Sequence, residues 1–113
     1  MLFRSVATEF DNGRDLTWMW SSSLPVETWF DCPIKAWSRR ETHLVVRSGL
    51  SAASQWCSER RAVYDDVARA MGPPPARIVA VWLICVASFQ HGTARASFEN
   101  IELIDGERRL TVL

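Results

Sequence analysis

Apolar residues recur with the spacing of β-strands along most of the chain and with the spacing of a helix at one place. Residues 2–10 (LFRSVATEF) and 16–20 (LTWMW) are β-prone runs joined by the turn-forming sequence DNGR, so an N-terminal hairpin is predicted. In the second run Leu16, Trp18 and Trp20 share one face because side chains alternate along a strand. Further strands are predicted at residues 43–47, 78–87, 94–104 and 108–112.

The stretch SERRAVYDDVARAMGPPP predicts a single amphipathic helix at residues 59–71. Ser58 is a good N-cap, Gly72 supplies the left-handed conformation that ends helices, and the prolines after it prevent continuation. On the outer surface Asp65 can pair with arginines one turn away on either side, Arg61 and Arg69. The apolar residues form one stripe that is expected to cover a sheet: Val63, Val67, Ala70 and Met71.

Three other segments add to this picture. Residues 78–87 (IVAVWLICVA) are apolar on both faces, as expected of a central strand covered on both sides. In residues 94–104 the apolar side chains alternate, but they switch from even to odd positions partway along the run, and a β-bulge near Glu99 and Asn100 would place them on one face. An Asp-Gly turn joins this run to the last strand. Residues 21–41 have no clean period and are expected to form a long ordered loop.

The composition is that of one globular domain spanning residues 1–113, with 48% hydrophobic residues. The 13 basic residues balance the 13 acidic ones, so no basic surface for nucleic acid is expected. No signal peptide is recognisable, and the longest apolar run, residues 78–87, is about half of what a bilayer requires. A cytoplasmic location without a membrane segment is therefore expected. Three cysteines without CxxC spacing predict reduced thiols, and neither a metal site nor a cofactor is expected.

Two stretches resemble a known family. The run LVVRSG…QWCSERRAVYDDVARAMGPPPARIVAVWL and the upstream TWMWSSSLPVETWFDCP resemble the C-terminal half of an uncharacterised bacterial family, the domain of unknown function 3047. Members share a helix and stop of the form E-R-x-x-Y-x-D-Y-x-x-x-F-G-x-x-P-P, and the resemblance covers roughly residues 16–104. The matching positions in the helix and its stop are Glu59, Arg60, Tyr64, Asp66, Met71, Gly72, Pro74 and Pro75.

The resemblance implies a β-sandwich of the jelly-roll or galactose-binding-like kind, of which this chain would hold half. Two features depart from the family pattern. The acidic D-x-D-N-T-like turn of the family is replaced by VASFQHGT at residues 86–93, and the family's first strands have no counterpart before Leu16. The expected fold class is therefore α+β and β-dominated, a mostly antiparallel sheet or half-sandwich with one amphipathic helix.

Motifs for catalysis are missing from the sequence, which has no Gly-rich phosphate loop, GxSxG or HExxH. Asp65 and Asp66 point about 100° apart on a helix and cannot form a dyad, so Asp66 is expected to hold the helix end or a loop. His43 lies in a predicted strand and is expected to be structural, and Cys57 lacks a fixed histidine partner. No catalytic residue is assigned, and a non-enzymatic protein is favoured.

Binding of a small ligand fits the composition better, because the chain contains six tryptophans. Aromatic faces beside polar side chains suit sugar rings, which stack on the aromatic face and hydrogen-bond to the polar groups. The expected function is a non-catalytic, β-sandwich-like binding module for a small polar ligand or a carbohydrate. Alternatively, the loop tryptophans only anchor an irregular segment to the sheet. The candidate ligand-binding residues are Trp29, Trp37, Arg39 and His91.

A homodimeric structural protein without a small ligand is the alternative function. A short chain with one helix leaves an apolar sheet face and an edge uncovered, and a second copy related by a two-fold axis would cover them. A homodimer is accordingly expected. The candidate interface residues are Trp18, Met19, Trp20 and Trp82.

Overall fold

The computed structural model describes residues 2–49, 55–87 and 95–113, and over these ranges the chain forms seven strands and one helix. The elements in chain order are β1 (Leu2–Phe10), β2 (Asp15–Ser21), β3 (Trp29–Asp31), β4 (Glu41–Ser48), α1 (Val63–Met71), β5 (Ile78–Ala87), β6 (Glu102–Asp105) and β7 (Arg108–Thr111). The β-dominated α+β class predicted from the sequence is confirmed.

Five strands form one mixed sheet in the order β3-β4-β2-β1-β5. The predicted hairpin of β1 and β2 is present, with the Phe10 N–H donating to the Arg14 carbonyl at 2.9 Å and Gly13 at a φ of 77°. The pairs β1–β5 and β3–β4 are also antiparallel, whereas β2 and β4 run parallel. A parallel pair needs a crossover connection, here residues 22–40, which contain β3.

The helix covers one face of this sheet, which we call the helix face. Val67 is 1% exposed and packs with Phe10 and Leu16 in the core, and Val63 and Met71 border the same cluster. The predicted apolar stripe is therefore confirmed. Because successive residues of β2 alternate, Thr17 and Met19 belong to the opposite face, which we call the far face.

The start of the helix differs from the prediction. The helix begins at Val63 rather than at residue 59, its N-cap position is Ala62, and Ser58 does not cap it. Glu59 instead forms an ion pair with Arg47 on β4. This ion pair and the contacts of Arg61 described below hold residues 59–61 in place ahead of the helix, in a non-helical conformation.

The helix ends at Met71 as predicted, but Gly72, with a ψ of −139°, does not adopt the left-handed helical conformation that was expected. Gly72 has a φ of 79°, a value that L side chains rarely adopt, and its N–H donates to the Ala68 carbonyl at 3.0 Å.

Strand β5 lies at an edge of the sheet among the described strands, so the prediction of a central strand covered on both faces is wrong. Its hydrogen-bonded neighbour is β1, and several of its large apolar side chains are exposed: Ile78, Val79, Trp82 and Leu83. The apolar run reflects a strand that this chain leaves largely uncovered.

Two further predictions need correction. The segment at residues 21–41, expected to be a loop throughout, contains β3, a three-residue strand too short to show a period. Over the described residues 95–104 of the strand expected at residues 94–104, pairing begins only at Glu102, in β6, and Asn100 adopts a φ of 54° ahead of it without a bulged ladder. Residue 94 lies outside the described residues. The Asp-Gly hairpin that joins β6 to β7 is confirmed.

In the described part of the chain, no helix is long and apolar enough to cross a membrane.

Candidate functional site

A small pocket opens on the helix face between β3, β4 and the second half of α1. Trp29 and Asp31 alternate along β3 and lie on the same face, and Thr42 is the partner of Asp31 on β4. Arg69 reaches the pocket from the helix, with its guanidinium carbon 4.7 Å from the centre of the Trp29 ring. The pocket therefore combines an aromatic face, a cation, a carboxyl group and a hydroxyl group in a volume of about 190 Å³.

The indole of Trp29 carries an unused donor. Its Nε1 is buried and has no hydrogen-bond partner among the described residues. A buried N–H without a partner costs stability, and native proteins keep few of them. This donor is closed off from solvent, so the exposed guanidinium of Arg69 is the group that the pocket offers to acceptor oxygens.

A second group of polar residues fixes the helix to the sheet. The Arg61 guanidinium donates to both carboxylate oxygens of Asp66, from Nε to Oδ2 at 2.9 Å and from Nη2 to Oδ1 at 2.8 Å. The indole N–H of Trp18 donates to Asp66 Oδ2 at 2.8 Å, and Arg61 also pairs with Glu27 at 3.0 Å. The expectation that Asp66 holds the helix end or a loop is met by these bonds, whereas the expected pairing of Arg61 with Asp65 is wrong.

Electrostatics at Asp66 favour its charged form. Burial alone would raise the pKa of Asp66, but the hydrogen bonds from Arg61 and Trp18 and the charges of Arg61 and Arg69 outweigh it and lower that pKa. The same pairing raises the pKa of Arg61. The network is thus a partly buried ion pair with a structural role, since each of its partners lies within the fold.

A third cluster lies on the far face around Glu41. Glu41 Oε1 lies 2.8 Å from His43 Nε2 and accepts a hydrogen bond from the Thr17 hydroxyl at 2.9 Å. The Cys32 N–H donates to the Glu41 carbonyl at 2.9 Å, which brings the thiol beside the same carboxylate. The Phe30 ring packs against the His43 imidazole with the ring centres 5.0 Å apart.

The pKa values in this cluster shift in opposite directions. The hydrogen bond with His43 lowers the pKa of Glu41 against the opposing effect of burial. Burial raises the pKa of the Cys32 thiol, so this cysteine is kept protonated and is a poor nucleophile. Asp15 stands opposite Glu41 in the parallel ladder, and burial together with the charges of Glu9 and Glu41 raises its pKa to about 6.

The predicted ligand-binding residues are not all brought together. Trp29 lines the pocket on the helix face, whereas Trp37 and Arg39 lie in the turn between β3 and β4 and do not line it. Arg40 places its guanidinium 6.0 Å from the centre of the Trp37 ring, which is 47% exposed. His91 lies outside the described residues.

The predicted interface residues differ in exposure. Met19 is 1% exposed within its own chain, whereas Trp82 is 55% exposed and donates from its indole N–H to Glu9 at 3.2 Å. Trp18 is held by Asp66, and Trp20 donates to the Gly49 carbonyl at 3.0 Å with Arg47 over its ring. Trp82 is therefore the member of this set that offers the most surface to another molecule.

Sequence reasoning missed several of these residues. The local pattern pairs Arg69 with Asp65, and nothing local links Thr42 to Trp29. The alternation of Glu41 and His43 was a usable signal, since it places both on one face of a strand. The position of Cys32 beside them depends on the pairing of β3 with β4, which no local pattern in the sequence reveals.

The sequence profile of one protein family, described as "Protein of unknown function (DUF3047)", matches residues 2–102, so the chain belongs to this family. The match begins at residue 2, so the resemblance, which was predicted at roughly residues 16–104, extends further toward the N-terminus. No curated protein and no solved structure matches the chain significantly.

Proposed function

We propose that this chain, as a member of that family, is a non-catalytic binding module that takes a small polar ligand or a carbohydrate in the pocket at Trp29. The observation that carries the proposal is the Trp29 ring with the Arg69 guanidinium 4.7 Å from its centre, in a pocket that Asp31 and Thr42 also line. The volume of about 190 Å³ suits one sugar ring or a small carboxylic acid rather than a larger cofactor.

The polar groups suggest how such a ligand would be oriented. Arg69 would donate to hydroxyl or carboxylate oxygens, and Asp31 would accept from hydroxyl groups. A ligand ring with an apolar C–H face could stack on Trp29 in place of the Arg69 guanidinium. The displaced guanidinium could then bind the oxygens of the ligand. The residues available are recognition groups, and none of them is paired as a nucleophile with a base.

Isothermal titration calorimetry with monosaccharides, sugar acids and small carboxylic acids tests this proposal. At least one compound should bind saturably, and Arg69→Gln and Asp31→Asn should each weaken it about tenfold, as expected for losing roughly 1.4 kcal/mol of interaction. The matched controls Arg39→Gln and Trp37→Ala change residues of the same chain segment outside the pocket and should bind normally. Loss of binding in the controls alone would move the site to the turn, and no binding at millimolar ligand would refute the module.

We propose homodimerisation as a second role, because β5 presents an exposed edge. The proposal rests on the ten residues of β5, with Val79, Trp82 and Leu83 exposed in the single chain. A second β5 related by a two-fold axis would pair with this edge and extend the sheet, so that the exposed side chains of the two strands lie side by side on its faces.

Light scattering coupled to size-exclusion chromatography tests the dimer. Twice the chain mass of 12.9 kDa is expected at tens of micromolar, falling to the monomer mass in Val79→Lys and Leu83→Lys. Leu110→Lys is the matched control, because Leu110 is also exposed but lies on the separate β6–β7 hairpin. A wild-type monomer, or a dimer that only the control variant dissociates, would refute this interface.

Free cysteines support a cytoplasmic location for this module. Cys32, Cys57 and Cys85 form no disulfide with one another. Reduced thiols of this kind are typical of the reducing cytoplasm, where we propose that the protein acts.

A further inference from the structure

Three donor groups of different chemistry meet on the far face, separate from the Trp29 pocket. The thiol sulfur of Cys32, a carboxylate oxygen of Glu41 and a ring nitrogen of His43 all lie within 4.8 Å of one another. Glu41 and His43 alternate along β4, and the residue after β3, Cys32, is aligned with them by its backbone bond to Glu41. The backbone of two paired strands thus fixes all three positions.

The separation of the donors suits a tetrahedral metal ion. Bonds of about 2.0–2.3 Å to sulfur, nitrogen and oxygen place the donor atoms of a tetrahedral site roughly 3.3–3.8 Å apart. His43 Nε2 and Glu41 Oε1 are already 2.8 Å apart, and the thiol lies within the 4.8 Å that separates the group. Small side-chain rotations would open the site without moving the strands.

The donor set also selects the kind of ion. Calcium and magnesium prefer oxygen ligands alone, whereas a thiolate with an imidazole and a carboxylate favours zinc and related borderline ions. Cys32 is 5% and His43 is 2% exposed, so the sulfur and nitrogen are shielded from water. Asp15, which stands opposite Glu41 in the parallel ladder, is a candidate for a fourth ligand.

Neighbouring side chains already orient these groups. The Thr17 hydroxyl donates to Glu41 at 2.9 Å, and the Phe30 ring lies against the His43 imidazole at 5.0 Å. Metal ligands in proteins are commonly oriented by such secondary contacts, which reduce the entropy lost on binding.

We propose that Cys32, Glu41 and His43 form a binding site for a zinc-type divalent ion. Binding replaces the thiol proton of Cys32, which is released to solvent, with a sulfur–metal bond. The ion would link the end of β3 to β4 and stabilise the crossover segment between β2 and β4. The site is independent of the Trp29 pocket, so either proposal can fail without the other.

Cobalt(II) is the direct probe, because thiolate coordination gives a charge-transfer absorption band that oxygen and nitrogen ligands do not. The full chain, reduced and stripped with a chelator, should bind one equivalent and develop this band. The double variant Cys57→Ser/Cys85→Ser retains Cys32 as its single cysteine and leaves the buried site untouched. The band should persist at wild-type intensity in this variant, and its absence there would overturn the proposal.

Zinc competition and thermal melting provide the second measurement. Zinc should displace cobalt with an apparent dissociation constant on the order of 1 µM or tighter and should raise the melting temperature of wild type and the double variant equally. Cys32→Ser should abolish the band and the rise in melting temperature, even if the variant begins from a lower temperature. A rise that survives in Cys32→Ser, or a wild type that binds neither metal, would overturn the assignment.

Discussion

Replacing Asp66 with asparagine tests how the helix is fixed to the sheet. The substitution keeps the size of the side chain but removes its charge, and it places an amide N–H₂ where a carboxylate oxygen accepted a bond. Two bonds from Arg61 and one from Trp18, at 2.8 to 2.9 Å, converge on the two carboxylate oxygens. An asparagine oxygen can replace one of these oxygens, so at least one donor must face another donor.

The magnitude follows from the exposure of each partner. Hydrogen bonds to charged groups contribute about 1.5–3 kcal/mol each when buried. The Arg61 side chain is 29% exposed and keeps its bond to Glu27, so its share is discounted to about 1 kcal/mol. The weakened Trp18 bond and the unfavourable amide contact add about 1–2 kcal/mol. Asp66→Asn should therefore destabilise the protein by about 2–3 kcal/mol, or about 10 °C in melting temperature.

Urea denaturation followed by circular dichroism at pH 7 measures this loss. The matched control is Asp65→Asn, because Asp65 lies in the same first turn of the helix and its side chain is exposed. Both changes remove one charge from the helix N-terminus, so the helix-dipole contribution cancels in the comparison. The control should cost less than about 0.5 kcal/mol. Equal losses in the two variants would refute the reasoning and restore the pairing of Asp65 inferred from sequence.

Three further outcomes are expected. Val67→Asp should destabilise the protein by several kcal/mol because it buries an unpaired charge. The control Tyr64→Asp, on the exposed side of the same helix, should melt close to wild type. Similar melting temperatures of the two variants would place the buried stripe elsewhere on the helix. The pKa of Asp66 lies below its unfolded value of 3.8, so the stabilisation from this carboxylate is complete above about pH 5 and is lost as pH falls through the folded pKa. In urea titrations the unfolding free energies of wild type and Asp66→Asn should therefore converge below about pH 4. A difference that stays constant with pH would contradict this. Gly72→Ala should cost about 1–3 kcal/mol in thermal melts because of the φ of 79°, and a neutral result would mean that the helix end rearranges without strain.

Local features of the fold could be predicted from sequence because short-range physics determines them. The stripe around Val67 follows from the helical period, the stop at Gly72 from its conformational freedom, and the β1–β2 hairpin from its turn residues. The helix start could not be predicted, since contacts between Arg61 and Glu27, far apart in sequence, compete with the local capping preference of Ser58.

Features that depend on strand order were missed for a related reason. A run of apolar residues such as β5 is compatible both with a central, covered strand and with an exposed edge strand. The sequence pattern therefore could not show that β5 lies at an edge of the sheet. Trp29 was predicted as a candidate ligand-binding residue from its chemistry alone. Its partner Arg69 is contributed by the helix, and only the packing of α1 across β3 brings the two together.

The parallel pairing of β2 with β4 has a consequence for the order of folding. β1 with β2 and β3 with β4 are each neighbours in sequence, so both hairpins can form on the microsecond scale. The parallel ladder then joins two preformed halves and requires the crossover at residues 22–40 to close first. β5 must find β1 across most of the chain. The β2–β4 ladder is therefore expected to form before β5 pairs with β1, so that weakening Leu16 or Leu44 slows folding more than it speeds unfolding.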